Sequence, residues 1–167
     1  MRLGDDTAAD ANVAARVEFG AVDDTADNDV AGGTHLHPRH DLALDGDRPV
    51  VHVTQGTIDN ADLGRLLEPT IEALGCEDVT VVATTGGRPV EAIRTPLPLN
   101  THVAEYIPHD WLLPKVDVMV TNGGYGAVQR ALCAGIPLVG AGDTEDKPEV
   151  AARVHWAGAG IDLRTGT

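Results

Sequence analysis

The chain has 167 residues and a mass of 17.4 kDa, enough for one domain with a real hydrophobic core. Its 12 Lys and Arg stand against 26 Asp and Glu, a formal net charge of −14. That balance excludes a nucleic-acid backbone or an anionic membrane as the main partner, because both would be repelled. No run approaches the roughly eighteen apolar residues of a spanning helix, and the opening MRLGDDTAAD lacks the apolar stretch of a signal peptide. A soluble, cytoplasmic protein without direct membrane insertion is expected.

Lys115 and Lys147 are the only two lysines. A surface rich in carboxylates and poor in lysine suits a salt-rich, halophilic cytoplasm, where salt screens self-repulsion. An acidic protein from an ordinary cytoplasm is the plainer alternative. Cys76 and Cys133 have no metal-ligand spacing and offer no disulfide framework; they are expected reduced against apolar neighbours.

Residues 1–47 carry ten Asp and one Glu against three Arg, a net charge of −8. Few large apolar residues occur there and no period is sustained, so ordering this segment would cost more entropy than its burial returns. It reads as mostly flexible, with a short helix through Val13, Val17 and Phe19. His35, His37 and His40 close it in HLHPRH. Three imidazoles so close suit a transition metal, but Gly32-Gly33 and Pro38 favour a solvated loop, and no metal is assigned.

From residue 48 the pattern is regular. Val50–Thr54 is a β-branched run ending at a Gln55-Gly56-Thr57 turn, a strand. Asp59-Asn60 is placed to cap a helix bearing Leu63, Leu66, Leu67, Ile71 and Leu74, with Pro69 kinking or dividing it. Strands follow at Val79–Thr84 and, as a short extended piece, at Val103–Ile107, then a short helix near Trp111–Leu113. Val116–Thr121 is a third buried strand running into NGGYG. A helix through Val128, Ala131 and Leu132 stops at Gly135. IPLVGAG is a strand, PEVAARVHWAG a helix ending at Gly158, and Gly160–Leu163 an extended close before RTGT. Strands alternating with helices predict an α/β fold with a Rossmann-like, doubly wound parallel sheet. The nearly continuous apolar strands fit a sheet covered on both faces. Such sheets take ligands at loops beyond the strands' carboxyl ends.

The loop Asn122-Gly123-Gly124-Tyr125-Gly126 leaves a strand and enters a helix, so free amides and the positive end of the helix dipole point outward, an anion site. Alone this is weak evidence, since glycine often serves tight packing. It is not a P-loop, because no Gly-Lys-Ser/Thr follows.

Residues from about Pro49 to Leu163 resemble the C-terminal, donor-binding domain of a GT-B glycosyltransferase of the UDP-glycosyltransferase (family 1) type. That signature reads His-Gly-Gly-x-Asn-Ser-x-x-Glu-Ala, Gly-(Val/Ile)-Pro, then Asp-Gln and Asn-Ala. The run here is NGGYGAVQRALCAGIPLVGAGDTEDKPEVAARVHWAGAGIDL, preceded by VVHVTQGT and YIPHDWLLPKVD, in the same order. The resemblance implies one half of a GT-B fold that binds a nucleotide-diphosphate sugar, such as a UDP- or dTDP-sugar, for hexosyl transfer to an acceptor hydroxyl. No cofactor or metal is implied, because helix and amide dipoles stabilise the departing diphosphate.

By that resemblance Thr57, Asn122, Gly123, Gly124, Tyr125 and Gly126 contact phosphate. Ile107, Trp111 and Arg130 fall to the nucleobase and ribose, and Asp146 and Lys147 to the sugar. The departures are specific. Asn122 replaces a histidine yet still donates a hydrogen bond. Gly126 and Ala127 replace an Asn-Ser pair. Arg130 replaces a ribose-binding glutamate and has no acceptor, and Lys147 replaces a glutamine. Plainer roles stand beside these: Asp146 with Glu149 reads as a capping box, Trp111 and Trp156 as packing residues, and Arg130 as a solvated helix residue. The family's acceptor half and catalytic base have no counterpart here, and its final helices would follow RTGT. Three arrangements stay open: a donor half of a longer or truncated enzyme, a subunit whose acceptor half is a separate chain (as in the two-chain N-acetylglucosaminyltransferase of the dolichol pathway), or a non-catalytic nucleotide-binding protein.

Overall fold

A computed structural model describes Leu44 and residues 46–164. The helix expected through Val13, Val17 and Phe19 and the histidines of HLHPRH lie outside the described residues. Leu44, from the acidic segment, is buried against Val50, Leu113 and other residues of one core.

Among the described residues, six strands form one wholly parallel sheet. In chain order the elements are β1 (Val50–Thr54), α1 (Leu67–Leu74), β2 (Thr80–Thr84), β3 (Thr101–Ala104), α2 (His109–Leu112), β4 (Val118–Thr121), α3 (Tyr125–Cys133), β5 (Leu138–Gly140), α4 (Lys147–Trp156) and β6 (Gly160–Asp162). The spatial order β3-β2-β1-β4-β5-β6 reverses between β1 and β4, so a crevice opens beyond the carboxyl ends of those two strands.

Strand side chains alternate between two cores, as a period of two requires. Val51 and Val53 of β1 pack with Leu63, Leu67 and Ile71 beneath α1, while Val50 packs with Leu112, Met119, Val128 and Leu138 beneath α2 and α3. All five β1 residues are buried, which explains why that strand reads as an unbroken apolar run.

Several boundaries differ from the sequence reading: β4 starts at Val118 rather than Val116, α2 covers His109–Leu112 rather than Trp111–Leu113, and two further differences concern α1 and β3. The helix expected from Asp59-Asn60 begins as a 3-10 turn at Leu63–Arg65, capped by the Asp62 carboxylate accepting from the Gly64 amide. The break falls at Leu66, whose backbone leaves helical geometry, and Pro69 sits in the first turn of α1, where its missing N–H costs nothing. Asn60 works elsewhere: its amide donates to the carbonyls of Gly56, Thr85 and Gly86, tying the loop after β1 to the loop after β2. The piece expected at Val103–Ile107 starts two residues earlier and ends at Ala104.

At the end of α3, Gly135 has φ of +74°, and the Ile136 and Gly135 amides return to the carbonyls of Ala131 and Leu132. This double closure satisfies two helix-terminal carbonyls. Cys76 and Cys133 are both exposed, not packed against apolar neighbours, because one follows the C-terminal turn of α1 and the other lies on the solvent side of α3. Trp156 is 90% exposed: it falls two residues past buried Val154, on the opposite side of α4. Trp111 packs partly buried against the core, as the packing reading expects.

Candidate functional site

The crevice at the strand-order reversal holds a cavity of about 420 Å³, a size suited to a small-molecule ligand. Thr57, Ile58 and Asp59 of the β1–α1 loop form one wall. Asn122 and Gly124–Ala127 form the second, and Glu145–Lys147 of the β5–α4 loop the third. A smaller cavity of about 170 Å³ adjoins it, sharing Gln55, Asp59 and Asn122 and adding Arg65, Gly142 and Asp143.

The loop entering α3 is organised by its own side chains. Asn122 is buried; its side-chain oxygen accepts from the Gly124 amide at 3.2 Å and its nitrogen donates to the Gln55 carbonyl at 2.7 Å. The Gly123 amide donates to the Thr121 hydroxyl. The amides of Gly123 and Gly124 are therefore engaged within the loop. Those of Tyr125, Gly126 and Ala127 open α3, where no carbonyl of the preceding turn is in register to accept from them. These three donors and the helix dipole make the electropositive end of the cavity. Asn122 and Thr57 both line the cavity, and Thr57 is exposed on the facing wall.

The third wall is built around Lys147. Its side chain is 5% exposed, and its ammonium lies 2.7 Å from Glu145 Oε2, 3.0 Å from Thr144 Oγ1 and 3.2 Å from Asp59 Oδ2. Burial pulls the Lys147 pKa down, but the hydrogen bonds and charges of Glu145 and Asp59 outweigh it and the net shift is upward. Asp59 is lowered, first by the hydrogen bond from Thr144 and then by Lys147. Arg65 pairs with both Asp59 and Asp143, a second tie between the same two loops. Asp146 does not cap α4 as the capping-box reading expected: it has helical backbone geometry and no side-chain cap, and Glu149 pairs instead with Arg153 at 2.7 Å. Asp146 is exposed and lines the cavity.

The residues expected at nucleobase and ribose stand apart from this group. Ile107 is buried in the core and Trp111 packs against it, with the Lys115 ammonium 5.6 Å from its ring centroid. Arg130, 3.6 Å from Asp110, lines a separate cavity of about 340 Å³ with His109 and Cys133. Beneath α2, His52 of β1 meets the His109 ring edge to face at 5.8 Å. The His52 Nδ1 lies 2.9 Å from the Val82 carbonyl, so it carries the proton, and buried Nε2 has no partner among the described residues. Burial pushes the His52 pKa down to about 4. Gln55, Asp59 and Glu145 line the cavity although the sequence assigned none of them to the site. Asp59 was hidden because its partners Thr144 and Lys147 lie in a distant segment, whereas the Gln55 side chain binds within its own loop and its strand-end position was a signal.

The family model for the "Erythromycin biosynthesis protein CIII-like, C-terminal domain" matches residues 68–167. The chain is 61% identical over 121 residues to 4'-demethylrebeccamycin synthase of Lentzea aerocolonigenes, a match covering 72% of this chain and 28% of that protein. It is 43% identical over 130 residues to UDP-glycosyltransferase 2 of Phaeomoniella chlamydospora, covering 76% and 29%. Among solved structures, the glycosyltransferase VinC in complex with dTDP aligns with TM-score 0.59 at 28% identity, covering 74% of this chain and 31% of VinC. SnogD from Streptomyces nogalater aligns with TM-score 0.61 at 28% identity, covering 72% and 33%. The chain thus spans about a third or less of each of these proteins. With its six-stranded parallel sheet and this match, the chain belongs to the erythromycin biosynthesis protein CIII-like C-terminal domain family of GT-B glycosyltransferases.

Proposed function

We propose that this chain is the donor-binding part of a glycosyltransferase, holding a UDP- or dTDP-sugar in the crevice between β1 and β4. The observation that carries the reading is the set of first-turn amides of α3, at Tyr125, Gly126 and Ala127, opening onto a 420 Å³ cavity. Those donors and the helix dipole suit a diphosphate, and VinC, which shares the fold, was solved with dTDP.

In this proposal the diphosphate lies against α3, with Thr57 and the Asn122 amide as further donors. Asp146 accepts from sugar hydroxyls, and Ile107, Trp111 and Arg130 mark the direction in which the nucleoside runs along α2 and α3. As the glycosidic bond to phosphate breaks, negative charge grows on the leaving diphosphate, where fixed dipoles stabilise it without reorganising. The acceptor and its deprotonating base come from an acceptor-binding half, on the same polypeptide or on a separate chain. In this proposal the reaction takes place in the cytoplasm, the compartment expected from the sequence.

Calorimetric titration of the chain with UDP and with dTDP tests the reading. Saturable binding of either supports it; absence of binding by a folded chain removes it.

A further inference from the structure

We infer that Lys147 is a positioning residue: its ammonium locks the β5–α4 loop to the β1–α1 loop, and Asp146 beside it is the side chain that reaches the donor sugar. The inference rests on the donor-binding reading above and names which residue of the Asp146-Lys147 pair meets the ligand.

An ammonium has three N–H donors. Lys147 donates to Glu145 and Thr144 and forms an ion pair with Asp59 at 3.2 Å, so its charge is already enclosed by three oxygens and its ammonium is turned to the two loops rather than to a ligand. Its side chain is 5% exposed, whereas Asp146 is exposed and lines the cavity. The Thr144 hydroxyl gives its own proton to Asp59 Oδ2 at 2.6 Å and accepts from Lys147, and the Lys147–Asp59 ion pair completes a ring between the two loops. Glu145 has φ of +54°, a left-handed conformation that a non-glycine residue holds only when its surroundings enforce it. Its carboxylate lies nearest the Lys147 ammonium, so the ion pair maintains that backbone turn. The Lys147 amide closes the same turn onto the Thr144 carbonyl. A buried ammonium stripped of a partner is costly, so the ring holds as a unit, and it fixes the backbone on both sides of Asp146, which lies between Glu145 and Lys147.

The test compares affinities for dTDP and dTDP-glucose, and for UDP and UDP-glucose, by calorimetry on the full chain. Wild type, K147M, D59N and the double variant are measured, each checked for native melting by circular dichroism. The readout is the ratio of the two affinities, the gain from the sugar. K147M and D59N are each expected to lower it about tenfold, the worth of one hydrogen bond to a charged group. The double variant falls no further, since each acts through the other. D59N keeps the shape of the loop, so it reports even where K147M does not fold. Loss in K147M with a kept or larger ratio in D59N, which frees the ammonium, overturns the inference, as does a wild-type ratio of one or an unchanged ratio in both variants. Absence of nucleotide binding by folded wild type overturns the donor-binding reading itself.

Discussion

The Asn122 side-chain nitrogen donates a 2.7 Å hydrogen bond to the Gln55 main-chain carbonyl, joining the ends of β4 and β1 where the strand order reverses. Because both groups are shielded, losing the donor leaves a carbonyl without water or protein to satisfy it. Asn122→Ala is expected to lower unfolding free energy by about 2 kcal/mol, read by urea titration, and to weaken nucleoside diphosphate binding. Asn122→Asp keeps the acceptor for the Gly124 amide but sets a carboxylate against the Gln55 carbonyl. It is expected to destabilise more than alanine does; equal stability of Asn122→Asp and wild type would refute the role.

A second close approach sits between β4 and β5. A Cβ at Gly142 would overlap the Asn122 carbonyl oxygen, and backbone is what it would displace. Gly142→Ala is expected to cost about 3 kcal/mol and to disturb the cavity shared with Asn122. Gly126, in the first turn of α3, has open space where a Cβ would go. Gly126→Ala is expected to be neutral or to stabilise by up to about 1 kcal/mol. Thermal melts of the two variants check the contrast.

His52 makes stability fall with acid earlier than the carboxylates do. Its pKa drops from an ordinary 6.5 to about 4 in the folded chain, first through burial. Between those values the unfolded chain takes up a proton that the folded one does not, so stability is full above pH 6.5 and declines down to about pH 4. The whole loss is about 3 kcal/mol. Burial also lowers His102 and His109, which act in the same direction. Asp59, held below the ordinary carboxylate range, loses its contribution only as pH falls below that range. Denaturant titrations at pH 7.5 and 5 are expected to differ, and His52→Leu to reduce the difference; an undiminished difference would assign it elsewhere.

The formal charge of −14 predicts a stability that rises with salt. Added KCl shortens the screening length and relieves repulsion among exposed carboxylates. Melting temperature is expected to climb between low and molar KCl; a flat or falling curve would contradict the salt-adapted reading of the composition.

Much of the fold was legible because its strands are buried on both faces. Val50–Thr54 and Val118–Thr121 lie at the centre of the sheet, and their apolar runs carry no solvent-facing alternation to obscure them. Gly135 and Gly158 announced two helix ends for a local reason, the positive φ each adopts. The start of α1 was misread because Asp59 and Asn60, good capping residues by type, are taken by tertiary partners: Asp59 by Thr144 and Lys147, Asn60 by Thr85 and Gly86. The same distance hid the role of Lys147, since no local pattern links positions 59 and 147. Cys133 and Trp156 were placed inside by residue type alone, and helix phase put both at the surface.

The measurement that tests the central claim most directly is an amide-resolved NMR titration of the isotope-labelled chain with dTDP and with UDP. The account predicts that the amides of Tyr125, Gly126 and Ala127, which open α3, shift saturably with one common affinity. Shifts confined to the cavity of His109, Asp110 and Arg130, or no shift at all from a folded chain, would contradict a diphosphate site at the head of α3.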